Sequence, residues 1–324
     1  MQSIVEAHLI GHKAGQQSGD IVYTFSNLLL AITDDYFSGS SFEVVQMNIL
    51  DLLSKLQSQG VSLFYKMSIL FLSQLMVLKE GLHMSAVTHV DNLPTEGEIL
   101  YDASSGPSIT VYGKIHHLTR AFLFRQLDDS SLHVDISGAV AESHHQLSSH
   151  YLMGYFFEGL ASFQLARQTS SSESANWIER GHSVLATIRF WSEHSRWNWE
   201  NKVLLLEAES MFTNGEFDRA GPLYVNAIRS AREHKFIHEE AIASELAGMF
   251  YFERGFHHES SSCLLHSVDC YKKWGAHAVA RRVESFIECS FGRDINQLVS
   301  SADASFGNLF VSSQGSRKKR QSGS

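Results

Sequence analysis

Apolar residues recur at steps of three and four along most of the chain, as in NILDLLSKLQ (48–57) and YKMSILFLSQLMVL (65–78). That spacing lines one face of an α-helix. Glycines stand where the periodic runs stop, at Gly19, Gly39, Gly60, Gly81, Gly215 and Gly255. Glycine closes a helix in the left-handed conformation without a Cβ clash. The pattern predicts helices over 3–17, 20–37, 41–58, 61–80, 108–127, 132–145, 147–168, 174–194, 199–214, 217–234, 236–254, 257–273 and 276–291. No run alternates at period two over several strands. PSITVYGKI (107–115) has strand-like composition, but it leads into a helical run and reads as helix. The fold class is all-α.

Two stretches interrupt the pattern. Residues 84–108 hold two prolines and many small polar residues and read as a connection, and TSSSESA (169–175) reads as an exposed loop within one hairpin. From 292 onward the chain is rich in Ser and Gly and reads as a disordered tail. The expected organisation is N-terminal helical hairpins over 1–83, the connection over 84–108, helical repeats over 109–291 and the tail over 292–324.

Part of the chain repeats. LLLEAESMFTNGEFDRAGPLYVNAI (204–228) and SELAGMFYFERGFHHESSSCLLHSV (244–268) share the order small residue, aromatic or Met, Gly, Phe, small residue, bulky apolar residue. Gly215 and Gly255 are 40 residues apart, as are Ala208 and Gly248. A weaker copy begins at FFEGLASFQLARQ (156–168), with Gly159 in the small position. Small side chains let helices approach and aromatics fill the space beside them. The expected packing positions are Ala208, Gly215, Phe217, Ala220, Tyr224, Ala227, Gly248, Tyr251 and Gly255, with Ala243 and Ala247 at further contacts. Such hairpins bury their faces by stacking on neighbours, which implies an α-α superhelix.

Composition narrows the function. Hydrophobic residues make up 44% of 324 and aromatics 11%, enough for a large core. The net charge of −9, from 35 acidic and 26 basic residues, argues against nucleic acid as a partner. Cys263, Cys270 and Cys289 form no CxxC pair, which fits a reducing, cytoplasmic setting. The N-terminus lacks the basic and apolar regions of a signal peptide. The most apolar stretch, 61–78, contains Lys66 and Gln74 and reads as a buried helix, so no membrane span is expected.

The hairpin pattern resembles the tetratricopeptide repeat, with GEFDRAGPLYVNAI as a second helix. The 40-residue period exceeds that family's 34, and Ser260 and Ser267 stand where it prefers Ala, so the match is TPR-like. Residues 202–255 followed by CYKKWGAHAVARRVE (270–284) also resemble the helical region of large multidomain signalling proteins. Residues 18–45 resemble the start of that region. Those proteins carry a serine/threonine kinase-like domain and an AAA-type ATPase domain, often with GAF and histidine-kinase or cyclase outputs. This sequence contains neither the kinase-like nor the ATPase domain. The resemblance implies a non-catalytic scaffold for protein–protein or interdomain contact. The alternative is a fragment whose helices transmit nucleotide state to an output module.

The sequence offers little catalytic chemistry. GPSITVYGKI fails the phosphate-loop pattern, with six residues between the glycines and Ile115 after Lys114. Adjacent histidines at 116/117, 144/145 and 257/258 point about 100° apart on a helix. His234 and His238 are four apart but lie at an inter-hairpin turn, without HExxH. Cys263 and Cys270 read as buried hydrophobes, and no nucleophile elbow surrounds a serine. RKKR (317–320) reads as a solvated tail. The expectation is no enzyme, no cofactor and no metal.

In TPR-like hairpins the first helix of each pair lines a concave face. By that resemblance Lys202, Leu205, Glu209 and Phe212 from one helix, and Ile242, Glu245, Met249, Phe252 and Glu253 from the next, line a partner groove. Apolar anchors among carboxylates suit an amphipathic or extended peptide carrying Lys or Arg.

Overall fold

The computed structural model describes residues 2–81, 93–102, 105–127, 148–169 and 171–292. All regular structure among the described residues is helical: α1 Gln2–Ser18, α2 Ile21–Phe37, α3 Phe42–Gln59, α4 Ser62–Glu80, α5 Glu96–Leu100, α6 Pro107–Leu123, α7 Ser149–Gln168, α8 Ser171–His194, α9 Arg196–Thr213, α10 Phe217–Glu233, α11 Ile237–Glu253, α12 His257–Trp274 and α13 His277–Phe291. PSITVYGKI opens α6, with Pro107 in the first turn, where the missing N–H costs nothing. The helix expected over 132–145, the 292–324 tail with its RKKR run, and His144/His145 lie outside the described residues, except that Gly292 itself is described.

Two expectations about loops change. The 84–108 connection contains α5, started by a capping box. The Glu98 N–H donates to Thr95 Oγ1 at 3.2 Å and the Thr95 N–H donates to the Glu98 carboxylate at 2.7 Å. The T-x-x-E signal was present in the sequence, beneath the prolines and polar residues. The Ser-rich stretch is largely helix, because α8 begins at Ser171 and the Ser174 hydroxyl donates back to the Ala166 carbonyl at 2.7 Å. That carbonyl belongs to the last turn of α7, whose final C=O groups have no partner within their own helix.

The chain divides into two compact units, 1–158 with 274–278, and 159–273 with 279–324. In the first, α1 and α2 form a hairpin in which Gly11 and Gly15 allow close approach. A Cβ on either would come within 2.5 Å of Asn27 Oδ1 or Thr24 Oγ1 respectively. Asp20 caps α2 by accepting the Tyr23 N–H at 2.9 Å. The core is aromatic: Tyr36 meets Phe71 and Trp274 at ring separations of 5.2 and 5.3 Å, and Phe42 meets Trp274 at 4.8 Å. Helix α4 is buried from Ser68 to Leu78. It is the one helix among the described residues long and apolar enough to cross a membrane, and 56% of that window is buried inside the protein.

The second unit contains the repeat. At 214–216 the Asn214, Gly215 and Glu216 N–H groups donate to the carbonyls of Ser210, Phe212 and Met211. The same three bonds recur at 254–256, forty residues on, and also at 234–236, midway between them. This is a Schellman closure, in which one residue adopts positive φ. Gly215 and Gly255 do so at φ 76° and 77°, and Lys235 does so at φ 64°. The underlying step is therefore a 20-residue helix and turn. Sequence comparison showed only alternate turns because Lys235 occupies the position where glycine would mark the middle one.

The expected packing positions divide: Gly215 and Gly255 are exposed at turns, where a Cβ would meet nothing within 4 Å, whereas most of the others are interior. Ala208, Ala220, Ala227, Ala243, Ala247 and Tyr224 are buried. A Cβ at Gly248 would lie 2.6 Å from Leu264 Cγ. Ser260, where alanine was expected, is buried and donates its hydroxyl to the Gly248 carbonyl at 2.8 Å. Phe212 and Tyr224 both meet Phe250, at ring separations of 5.2 Å. Phe217 and Tyr251 are half-buried.

Gly248→Ala and Ala220→Leu are expected to lower stability by ~1–3 kcal/mol, as insertion into a tight contact does. Lys235→Gly is expected to raise the melting temperature, because a side chain at positive φ costs ~1–2 kcal/mol. Thermal and urea denaturation of the three variants checks both signs; a less stable Lys235→Gly would mean that the lysine side chain contributes more than the strain removes.

Candidate functional site

Six of the nine residues expected to line a groove are interior: Lys202, Leu205, Glu209, Phe212, Ile242 and Glu245 are buried. Met249 and Phe252 are half-buried, and Phe252 packs on Phe286 and Phe291. Glu253 is exposed. The expectation of open charged side chains is therefore corrected for Lys202, Glu209 and Glu245. Each points into the packed body, and each is matched there by a residue from another helix.

Lys202 on α9 lies 2.6 Å from Glu239 on α11, with side chains 0% and 1% exposed. Its ammonium also donates to the Asn198 carbonyl at 2.7 Å and sits over the rings of Trp199 and Phe236. Asn201 donates to the other Glu239 oxygen. Burial works to raise the Glu239 pKa, but the Lys202 ammonium and neighbouring His238 outweigh it and hold the carboxyl at about 2.

Glu209 and Glu245 share one design. Glu209 accepts from the Arg167 guanidinium at 2.6 Å and from the Tyr224 hydroxyl. Glu245 accepts from Arg282 at 2.7 Å and from the Tyr271 hydroxyl at 2.9 Å. Burial and the Glu209 carboxylate push the Tyr224 hydroxyl well above its ordinary range, so it remains a donor. Arg167 also donates to Thr213 Oγ1 at 2.8 Å and lies over the Phe212 ring.

A separate group brings together residues that sequence reading left apart. His266 and Cys270 stand four apart on α12, and Glu240 comes from the first turn of α11. His266 Nε2 lies 2.7 Å from Glu240 Oε1 and 3.3 Å from Cys270 Sγ. The outer side is taken by Arg232, whose Nε donates to Glu240 Oε1 at 2.7 Å and whose Nη2 lies 3.1 Å from His266 Nε2. Burial, with the Glu240 carboxylate nearby, pushes the Cys270 thiol up to about 12, and burial does the same to Cys263. Neither is a ready thiolate nucleophile. The H-x3-C spacing was visible in the sequence, but nothing tied it to Glu240, 26 residues earlier.

The histidines considered from sequence go elsewhere. His116 is buried with Nδ1 3.0 Å from the Leu70 carbonyl, and burial lowers its pKa to about 3. His234 lies against Trp197 with the two rings tilted by 36°, whereas His238 lies beside Glu239. No protein-family model matches the chain, and comparison with curated proteins and with solved structures returned no match. The resemblance to signalling proteins therefore rests on the residues that carry it.

Breaking a buried pair leaves an uncompensated charge, so Lys202→Met and Glu245→Lys are each expected to cost ~3–5 kcal/mol. Because the folded pKa of Glu239 is depressed, its contribution to stability is present above about 4.5 and lost as pH falls towards about 2. Denaturation curves across that window should show Glu239→Gln flatter than wild type; equal slopes would exclude Glu239 as a source of acid sensitivity.

Proposed function

We propose that this chain is a non-catalytic, cytoplasmic helical-repeat scaffold that presents a surface to a protein partner or to neighbouring domains of a signalling assembly. The observation that carries this reading is the 20-residue helix-and-turn step over 196–256, with the charged side chains between its helices consumed in internal pairs. An architecture of this kind keeps a rigid interior and varies what it displays at its turns and outer faces. The surface that remains from the expected groove lies at the end of α11 and the turn that follows, where Glu253 and Phe256 are exposed and Phe252 is half-buried. An aromatic anchor beside a carboxylate favours an apolar peptide carrying Lys or Arg.

A photo-crosslinking residue placed at Phe256 in cells is expected to give a discrete adduct with one protein, and none when placed at buried Tyr224. Adding Glu253→Lys should weaken the adduct at least ~tenfold while leaving stability within ~0.5 kcal/mol. An absent adduct, or one indifferent to Glu253→Lys in the folded protein, overturns this surface as the binding face.

A further inference from the structure

We propose that Glu240, His266 and Cys270 form a binding site for a thiophilic divalent cation of the zinc type. The three side chains each offer one ligand atom, and these atoms lie within 4.8 Å of one another. The donor set is one carboxylate oxygen, one imidazole nitrogen and one sulfur, the mixture that zinc accepts in four-coordinate sites. Metal–ligand bonds of about 2.0–2.3 Å place tetrahedral ligands about 3.3–3.7 Å apart. The His266–Cys270 separation of 3.3 Å already falls there, and the Glu240–His266 separation of 2.7 Å requires opening by less than an ångström, within reach of a carboxylate torsion.

Two contacts compete for the single site at His266 Nε2, that of Glu240 Oε1 at 2.7 Å and that of Arg232 Nη2 at 3.1 Å. If His266 Nε2 carries a proton, it can donate to Glu240 Oε1, but the proton then also confronts the Arg232 N–H donor 3.1 Å away. If Nε2 is bare, Arg232 can donate to it, but its lone pair then faces the Glu240 oxygen at 2.7 Å. Neither tautomer satisfies both contacts. A cation between Nε2 and Oε1 turns the two lone pairs towards one positive centre.

The fold supplies both rigidity and access. His266 and Cys270 are fixed on one face of α12 by their four-residue spacing. Glu240 is held next to Glu239, which is anchored by Lys202. The Arg232 side chain is 43% exposed and that of His266 is 22% exposed. Arg232 can therefore swing into solvent, opening an entry path and leaving the fourth position to water. Cation binding displaces the Cys270 thiol proton to solvent.

The test uses the full-length chain, stripped with a chelator and titrated with Co²⁺, whose thiolate charge-transfer absorption reports a cobalt–sulfur bond. One equivalent is expected to produce the band, and Zn²⁺ to abolish it by displacement. Cys270→Ser should remove the band, and His266→Gln should weaken binding by at least ~10–100-fold. Cys263→Ser and Cys289→Ser should retain it. Arg232→Gln should bind more tightly. Circular dichroism establishes that each variant is folded. A folded wild-type chain that gives no band, or a band that survives Cys270→Ser, overturns the assignment, as does loss of the band in Arg232→Gln. If Cys270→Ser does not fold, the wild-type titration and the partly exposed His266→Gln decide the question.

Discussion

Helix α11 is covered over most of its circumference, being buried from His238 to Gly248, yet it carries Glu239, Glu240 and Glu245 in that stretch. A carboxylate deprived of water needs a cation or several donors in its place. Around α11 these come from other helices: Lys202 from α9, Arg232 from α10, Tyr271 from α12 and Arg282 from α13. The helices around α11 thus meet it through at least one charge-assisted bond as well as through apolar contact.

Apolar surfaces alone would tolerate several alignments, since a shift of one turn, about 5.4 Å, replaces one aliphatic face by another. The buried carboxylates do not tolerate it. Such a shift would part Glu239 from Lys202. Well-packed apolar residues could equal the stability of these pairs, so their contribution here lies in fixing register. Small residues act at the same contacts by a different route. Gly248 lets Leu264 approach, and the Ser260 hydroxyl satisfies the carbonyl exposed by that approach.

The Glu240, His266 and Cys270 group shows how a repeat can assemble chemistry without a motif. One residue comes from the first turn of a helix and two from the far half of the next. Tight turns bring the segments together; the His266–Cys270 spacing shows in the sequence, whereas the tie to Glu240 does not.

Much of the fold was legible in the chain. Periodicity located α1–α4, α6 and α7–α13 to within a few residues, because apolar spacing and glycine stops act locally. The small and aromatic positions of the 40-residue repeat were legible for the same reason. What escaped was decided by backbone geometry or by packing. The Schellman turn at Lys235 uses a positive φ that its residue type does not advertise, and α5 was hidden beneath a composition that reads as loop. Lys202, Glu209 and Glu245 looked like surface residues because charge in a helical pattern ordinarily faces water. Whether a charged side chain meets water or a buried partner depends on which helices cover it, and that is a property of the tertiary structure alone.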